Sequence, residues 1–325
     1  MDKKWYELLI KNIIASIPPN IKPANYLMDV LDIGKDSVYR RLKGEVPFSL
    51  EEIVSILQLL DVSLDEATGL NRAGKLKFND LSSAVLSNKE SFVSMVEKYI
   101  GFLSKKKRTH SSITVTATNR FPIAFSLGLE YLFKFFYYKW VYQSDETPSN
   151  VLFEDVNIPD NIKQLCSKIK SYFMTLNDHH THSIVLSPNI YSQTIREIQY
   201  YYKRKLISLD EIKLIQKDFS DQINKIEKMA QTGVNDFGAN YFLYLSSLNI
   251  ESNCTCLKTD NAEWSYFWTT SSVPVETSES TICNMNYDWI ESLKKYSTLI
   301  TKSNELLQAA FFDKQRYYIN NMHKL

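Results

Sequence analysis

The chain contains the stretch NYLMDVLDIGKDSVYRRLKGEVPFSLEEIVSILQLLDVSLDEATG, Asn25 to Gly69, which decides the fold of its first part. A short apolar helical pattern follows Pro23, a residue that suits a first helical turn because its missing N–H would have no partner there. The period breaks at Asp32-Ile33-Gly34, and a second helical pattern runs from Lys35 to Lys43. The sequence therefore predicts two short helices joined by a tight turn.

The second of these helices carries a concentrated positive face. Val38 and Leu42 form an apolar stripe, Gly34 can cap the helix and Gly44 ends it. Residues 35–43 hold four basic residues and one acidic residue, although residues 1–70 carry 8 Lys and Arg against 11 Asp and Glu. Such a local patch can neutralise phosphates even on an acidic domain. The faces away from the apolar stripe hold Lys35, Asp36, Ser37, Tyr39, Arg40, Arg41 and Lys43.

A further helix is predicted after Pro47, because Ser49 and Glu52 have the spacing of a capping box. With this helix, residues 1–70 resemble the helix-turn-helix domain of the lambda-repressor/Cro (XRE) class of transcription regulators. Asp32 stands where the family usually has glycine, which is tolerable because Asp can enter the left-handed region, and Arg41 stands where the family often has an apolar residue. The matching segments are the loop GEVPFS, residues 44–49, and the ending LDVSLDE, residues 60–66.

This resemblance implies that the helix over 35–43 enters the major groove of double-stranded DNA. Early residues of such a helix point at the bases, and later ones lie nearer the phosphates. It also implies a homodimer, because such proteins commonly pair on half-sites. Two alternatives stay open, a plain helical bundle with a basic surface and a module that contacts protein, as in an antitoxin-like or phage-immunity factor. The residues expected near base edges are Lys35, Asp36, Ser37 and Arg40, with Arg41 and Lys43 nearer phosphates and Tyr39 on the same face.

The rest of the chain predicts a larger domain of mixed structure. We expect a helix-turn-helix domain over 1–70, a basic linker and connecting helix over 71–110, and a regulatory or dimerisation domain over 111–325. The predicted fold class is mainly α with α+β, in which an antiparallel sheet is covered by helices. Apolar alternation predicts strands at 113–117, 241–250, 255–257, 264–270 and 281–285. Helical stripes cover 121–142, 161–176, 190–206, 208–232, 287–300 and 304–323.

Two segments of this larger part leave alternatives open. The run Lys105 to Arg108 is expected to be a solvated helix end, with a DNA contact as the alternative. The helix that begins with a capping box at Ser208 and Glu211 has a heptad-like stripe. Packing inside the domain is the preferred interpretation of that stripe, and a dimer seam is the other.

Residue types that support catalysis form no recognisable motif, so no enzymatic activity, cofactor or metal is predicted. The chain has 8 glycines and no phosphate-binding loop. Cys254 and Cys256 would share one face of a strand, which leaves a redox or metal pair as an alternative to structural thiols. The segment DHHTH, residues 178–182, has no standard zinc spacing and is expected to be a polar loop.

The domain over 111–325 is therefore expected to sense a small molecule or a protein effector. Aromatic residues in 121–142 and 264–268 could line an apolar pocket, although core packing is the commoner role. The window 121–142 contains Glu130, Lys134 and Lys139, which favours a buried helix over a membrane span. With no visible signal peptide, we expect a cytoplasmic protein without membrane contact.

Overall fold

The structure is a computed structural model that describes residues 4–18, 21–60, 62, 64–68, 88–107, 109–143, 148, 150–175, 177–260, 262–268 and 274–324. The chain separates into two compact units, Met1–Leu76 and Lys77–Leu325. The first part of the predicted linker, residues 71–87, lies outside the described residues.

The N-terminal unit is built of short helices around a small apolar core. Its helices are α1 (Lys4–Ser16), α2 (Pro23–Leu31), α3 (Lys35–Leu42), α4 (Leu50–Leu60) and α5 (Leu64–Thr68). Each helix that faces the core contributes apolar residues at helical spacing. The most deeply buried of these side chains are Leu9, Ile13, Leu27, Val38 and Ile56.

Local backbone chemistry sets the turn between α2 and α3. Pro23 occupies the first turn of α2, and Asp32 ends that helix in the left-handed region with φ 52° and ψ 46°. Gly34 is the N-cap of α3, and Gly44 follows this helix with φ 74°. At α4, Ser49 N–H donates to Glu52 Oε2 at 2.8 Å and Glu52 N–H donates to Ser49 Oγ at 3.1 Å. The predicted helix ends and capping box of this region are confirmed.

The second unit combines helices with one mixed sheet. Its helices are α6 (Asn88–Lys107), α7 (Glu130–Tyr142), α8 (Asp160–Phe173), α9 (Ile190–Lys203), α10 (Leu209–Thr232), α11 (Ser280–Lys295) and α12 (Glu305–Asn320). A 3-10 turn at Ile123–Ser126 precedes α7. The strands are β1 (Ser112–Thr118), β2 (His180–Leu186), β3 (Asn240–Ser246), β4 (Cys254–Thr259), β5 (Glu263–Trp268), β6 (Pro274–Thr277) and β7 (Ser297–Leu299). The predicted α+β class is confirmed.

The sheet has the order β6-β5-β4-β1-β2-β3-β7. Its centre is parallel, because β1 pairs with β2 and β2 with β3 in the same direction. The outer pairs are antiparallel. The prediction of an antiparallel sheet is therefore wrong for the centre, where long helical crossovers connect the strands: α7 and α8 between β1 and β2, α9 and α10 between β2 and β3.

The two faces of the sheet differ in what covers them. Side chains alternate along β1, so that Val115 and Ala117 join a small core with Ile290 and Leu293 of α11. On the other face lies the main core, to which α6, α7, α9, α10 and α12 contribute. The stripe of α10 is buried in this core, which confirms packing inside the domain for Ile212, Ile215, Phe219 and Ile226.

Three sequence-based expectations need correction or refinement. The segment 281–285, which the alternation predicts to be a strand, lies inside α11, because a helical stripe that includes Ile282, Ile290 and Leu293 overrides local alternation. The predicted polar loop at 178–182 is wrong from residue 180 onward, where β2 begins with buried His180 and His182. The predicted connecting helix is α6, whose Phe92 and Leu103 are part of the main core. Within the described residues, no helix combines the length and hydropathy needed to cross a bilayer.

Candidate functional site

Helix α3 presents a polar face to solvent. Val38 is buried and Leu42 half-buried on the inner side of the helix. The outer side exposes five of the seven predicted contact residues, Lys35, Asp36, Tyr39, Arg40 and Lys43, whereas Ser37 and Arg41 are half-buried. The structure therefore places most of the predicted DNA-binding side chains on one accessible surface, which we call the α3 face.

Arg41 makes contacts that distinguish it from the other cations of α3. Its guanidinium donates to both carboxylate oxygens of Glu52, at 3.1 and 2.8 Å, and to the carbonyl oxygen of Ser37 at 3.3 Å. Burial raises the pKa of Glu52, but hydrogen bonds from Arg41 and from the Ser49 N–H outweigh it and hold that pKa below its usual value. The resembled family often has an apolar residue at this position. Here Arg41 instead forms an ion pair with Glu52 that joins α3 to α4.

Arg40 keeps a looser partner. Its Nε lies 3.7 Å from a carboxylate oxygen of Glu45, and both side chains are more than half exposed. An exposed pair of this kind contributes little to stability. Arg40 therefore stays accessible to a ligand of the α3 face.

The second unit contains a cavity of about 800 Å³ between the sheet and its helices. Residues of α6, α7, α8 and α10 line one side, and β1, β2, β4 and β5 line the other. This volume lies in the range of small-molecule sites, roughly 300–1,000 Å³. The cavity is a second candidate site, separate from the α3 face.

A buried polar row crosses the sheet at the cavity wall. Thr114, His182 and Tyr241 are paired positions on β1, β2 and β3. The rings of His182 and Tyr241 stack with centroids 4.4 Å apart. Lys106 reaches this row from α6, and its Nζ lies 3.3 Å from His182 Nε2.

Lys106 is fully buried, and this burial changes the pKa of its amine. Burial lowers the pKa of Lys106 to about 7, and burial together with Lys106 lowers the pKa of His182 well below its usual value. No carboxylate in the described part of the chain lies within ion-pair distance of Lys106 Nζ. The cavity thus holds an amine whose protonation is sensitive to its surroundings.

Charge along the cavity is unbalanced. Asp236 is the acidic member among the described lining residues, and it already pairs with Lys228 at 2.9 Å. The basic members are Lys98, Lys106, Arg120, Lys139, Lys170 and Lys225, of which Lys139 pairs with Glu197. A cleft lined by one sign of charge favours ligands of the other sign.

The aromatic residues expected to line a pocket divide between cavity and core. Phe133, Phe136 and Trp140 of α7 line the cavity, as do Tyr266 and Trp268 of β5. The neighbouring aromatic side chains of α7 pack inside the main core, where Phe135, Tyr137 and Tyr138 are buried.

The basic run after residue 104 differs from its prediction. The prediction of a solvated helix end is wrong for Lys105 and Lys106. Lys105 donates hydrogen bonds to Glu276 and to Tyr266, while Lys106 is buried at the cavity. Strands distant in sequence supply these surroundings, so local charge pattern could not indicate them. The side chain of Lys107 and all of Arg108 lie outside the described residues.

Sequence reasoning missed Lys106, Thr114 and His182 as site residues. One signal was present, because β1 reads ITVTAT with a threonine at every second position and β2 reads HTH. In a strand, such alternation places polar groups on a single face. A buried face with threonines and histidines in register indicates a polar site inside the domain.

Cys254 and Cys256 share one face of β4, as predicted, and both are buried. Their Sγ atoms lie 3.6 and 3.4 Å from Ser265 Oγ. A hydrogen bond with Cys256 and burial raise the pKa of the Cys254 thiol, while the same hydrogen bond lowers that of Cys256. Burial raises the pKa of nearby Cys283 to about 12.

Among the described residues, the two histidines of β2, His180 and His182, are not part of a metal-binding cluster. His180 Nδ1 lies 2.9 Å from Ser112 Oγ, and His182 contacts Lys106. Across the residues that the structure describes, no group of three or more His, Cys, Asp or Glu side chains is placed to bind an ion. Comparisons with protein-family models, curated proteins and solved structures find no match to this chain.

Proposed function

We propose that this protein is a non-enzymatic, sequence-specific DNA-binding transcriptional regulator. In this proposal the N-terminal unit binds double-stranded DNA, and the second unit is a sensing or dimerisation domain. One observation carries it: α3 follows α2 after a short turn and exposes Lys35, Arg40 and Lys43 while its apolar side is buried. A short exposed helix of this charge suits the major groove, which admits an α-helix.

The contacts within the N-terminal unit refine the role of each residue. Lys35, Asp36, Ser37 and Arg40 lie in the first part of α3 and are proposed near base edges, with Lys43 at a phosphate. Arg41 is proposed as a positioning residue, because its guanidinium already binds Glu52 and Ser37. This differs from the phosphate contact expected from the sequence.

The proposal includes a cytoplasmic homodimer and an effector. A single short helix reads few base pairs, so two copies on adjacent half-sites give the specificity that one copy lacks. The cavity supports a sensing role for the second unit, because it has the volume and the apolar lining of a small-molecule site. A protein effector would instead act on the surface of that unit.

Selection from a random pool of duplex DNA by the full-length chain tests the DNA-binding role. We expect one enriched sequence with two related half-sites. Arg40→Ala should then weaken binding to that sequence by about 1–3 kcal/mol, whereas Lys43→Ala should weaken binding to all sequences and reduce the salt dependence by about one ion.

The matched control is Lys213→Ala, which removes an exposed lysine of the second unit that pairs with Asp210. Its affinity for DNA should equal that of the unchanged protein. A pool without any enriched sequence, or an Arg40→Ala protein with unchanged affinity, contradicts the proposal.

Exposed apolar side chains favour a second candidate, a helix-turn-helix protein that acts through protein contacts. Leu50 and Val54, which lie one turn apart on α4, are 67% and 43% exposed. Apolar side chains of this size at the surface are typical of interaction sites when they cluster. Under this candidate no DNA sequence is enriched, and Leu50→Ser with Val54→Ser abolishes assembly measured by light scattering.

A further inference from the structure

We propose that the cavity of the second unit binds a small apolar molecule with one carboxylate, and that Lys106 and Thr114 receive this carboxylate. The inference names the ligand class of the sensing domain and rests on the proposed function only for the link to DNA. Ligand binding itself is measured without DNA.

Among the described residues, no anion lies beside Lys106 Nζ. Its Nζ contacts a histidine nitrogen, His182 Nε2, at 3.3 Å and lies 4.9 Å from the ring centroid of Phe102. Burying a charged amine without a counter-ion is costly. Because no protein carboxylate among the described residues pairs with Lys106, a carboxylate on a ligand would supply the missing charge.

Two buried polar atoms at the cavity wall also have no hydrogen-bond partner among the residues that the structure describes. Thr114 Oγ1 on β1 and Gln222 Oε1 on α10 make no hydrogen bond within the described part of the protein, and both side chains are at least 95% buried. Buried polar groups in folded proteins are nearly always hydrogen-bonded. Thr114 is the β1 partner of His182, so its hydroxyl lies beside the histidine that Lys106 contacts and can donate to the same carboxylate.

The remaining lining fits an apolar body. Phe102 of α6, Trp140 of α7, and Tyr266 and Trp268 of β5 contribute large aromatic surfaces to the cavity. Apolar and aromatic walls with a few placed polar groups are typical of small-molecule sites. The excess of basic over acidic residues in the lining favours an anionic ligand over a cationic one.

The test compares acids with neutral amides of the same shape. Calorimetric titration of the full-length chain would use 2-naphthoate against 2-naphthamide, and decanoate against decanamide. We expect each acid to bind at least about tenfold more tightly than its amide. Fluorescence of Trp140 and Trp268, which line the cavity, provides an independent signal for the same binding.

Lys106→Met then assigns the charge. This variant keeps the length of the side chain and should lower affinity for the acids by at least about tenfold, while affinity for the amides changes by less than about threefold. Thr114→Val, which removes the hydroxyl alone, should lower acid affinity by about threefold and serves if the first variant does not fold. Lys168→Met is the matched control, because Lys168 is an exposed lysine of α8 and is not one of the residues that line the cavity.

Three results overturn the proposal: acids and amides that bind equally, no binding of any probe at about 1 mM, or a loss of acid affinity in Lys168→Met but not in Lys106→Met. Titration of the selected DNA with and without bound naphthoate separates the two proposals. Acid binding that leaves DNA affinity unchanged supports the site and removes the sensing role.

Discussion

Helix α3 of the N-terminal unit keeps Lys35 and Arg40 in solvent, whereas α6 of the second unit places Lys106 out of solvent and Lys105 in an ion pair with Glu276. The difference lies in what surrounds each helix. One side of α3 faces water, while α6 packs against α7 and α8 and faces a sheet. An exposed lysine keeps its hydration and costs the folded state little free energy. A buried lysine loses its hydration, and this cost must be offset by a partner or a ligand. The burial of a lysine therefore indicates a ligand site more strongly than its charge alone.

Asp218 allows the largest test of this comparison. It is a buried carboxylate of α10 that accepts hydrogen bonds from Tyr131 N at 2.7 Å and Leu132 N at 2.9 Å, at the start of α7. Asp218→Ala should destabilise the second unit by about 3 kcal/mol, because two buried N–H groups lose their acceptor. Urea unfolding of the full chain measures this loss by tryptophan fluorescence. Asp218→Asn keeps an acceptor and should lose less; an equal loss in both variants would remove the hydrogen-bond explanation.

Lys106 predicts the next effect, which depends on pH. Since the pKa of Lys106 is about 7 in the folded chain and 10.5 in the unfolded chain, the unfolded chain binds more protons between these values. Stability should therefore rise with pH, by about 2 kcal/mol from pH 7 to 9. Below pH 7 the full penalty of the buried charge is present. Urea unfolding at a series of pH values measures the slope.

Lys106→Met should flatten the rise above pH 7. His182 and His180 of β2 have lowered pKa values and face Lys106; because these histidines titrate below their usual pKa, they change stability at lower pH. Tyr241 of β3 has a raised pKa and acts only at higher pH. A slope between pH 7 and 9 that persists in Lys106→Met would show that another group titrates there.

Much of the fold follows from local sequence. Of the two candidate sites, the α3 face also follows from it, whereas the cavity does not. Pro23, Asp32 and the Ser49–Glu52 capping box fix the N-terminal helices through bonds between near neighbours. The α3 face could thus be predicted residue by residue. The ion pair of Arg41 could not, because Glu52 lies on another helix and had already a capping role in the sequence.

The cavity could not be predicted from the sequence, because its residues also come from elements that are distant along the chain. Lys106, Thr114 and His182 meet only after β1 and β2 pair in parallel across two helices. The sequence predicts strands close to β1, β3, β4 and β5. It does not predict β2, and it does not predict the order of the strands. Long crossovers leave the direction of pairing to tertiary packing, and with it the composition of each face.

The ion pair between α3 and α4 predicts an intermediate effect. Glu52→Gln should destabilise the N-terminal unit by about 1.5 kcal/mol, since the ion pair, with both side chains 19% exposed, is replaced by contacts of the charged Arg41 with a neutral amide. The lowered pKa of Glu52 means that this stability is present above its usual value of 4.5 and is lost as the pH falls through the folded pKa. Thermal unfolding of the full chain followed by circular dichroism measures both trends.

The neighbouring Glu51 provides the control for this experiment, because its side chain is exposed. Glu51→Gln should change stability by less than about 0.5 kcal/mol. If both glutamine variants lose the same stability, general charge near α4 would explain the effect and the specific pair with Arg41 would not.

The smallest effect tests whether local backbone alone sets the position of α3. Gly34 caps this helix with φ −68° and ψ 156°, and a Cβ there would have no atom within 4 Å. Gly34→Ser should therefore stabilise the N-terminal unit by about 0.5 kcal/mol, because serine caps a helix N-terminus and restricts the unfolded chain. Gly44 also has open space around it but φ +74°, so Gly44→Ser should destabilise by about 1 kcal/mol. Opposite shifts of the melting temperature are expected; shifts of the same sign would mean that packing with the rest of the unit, and not the turn itself, holds α3 in place.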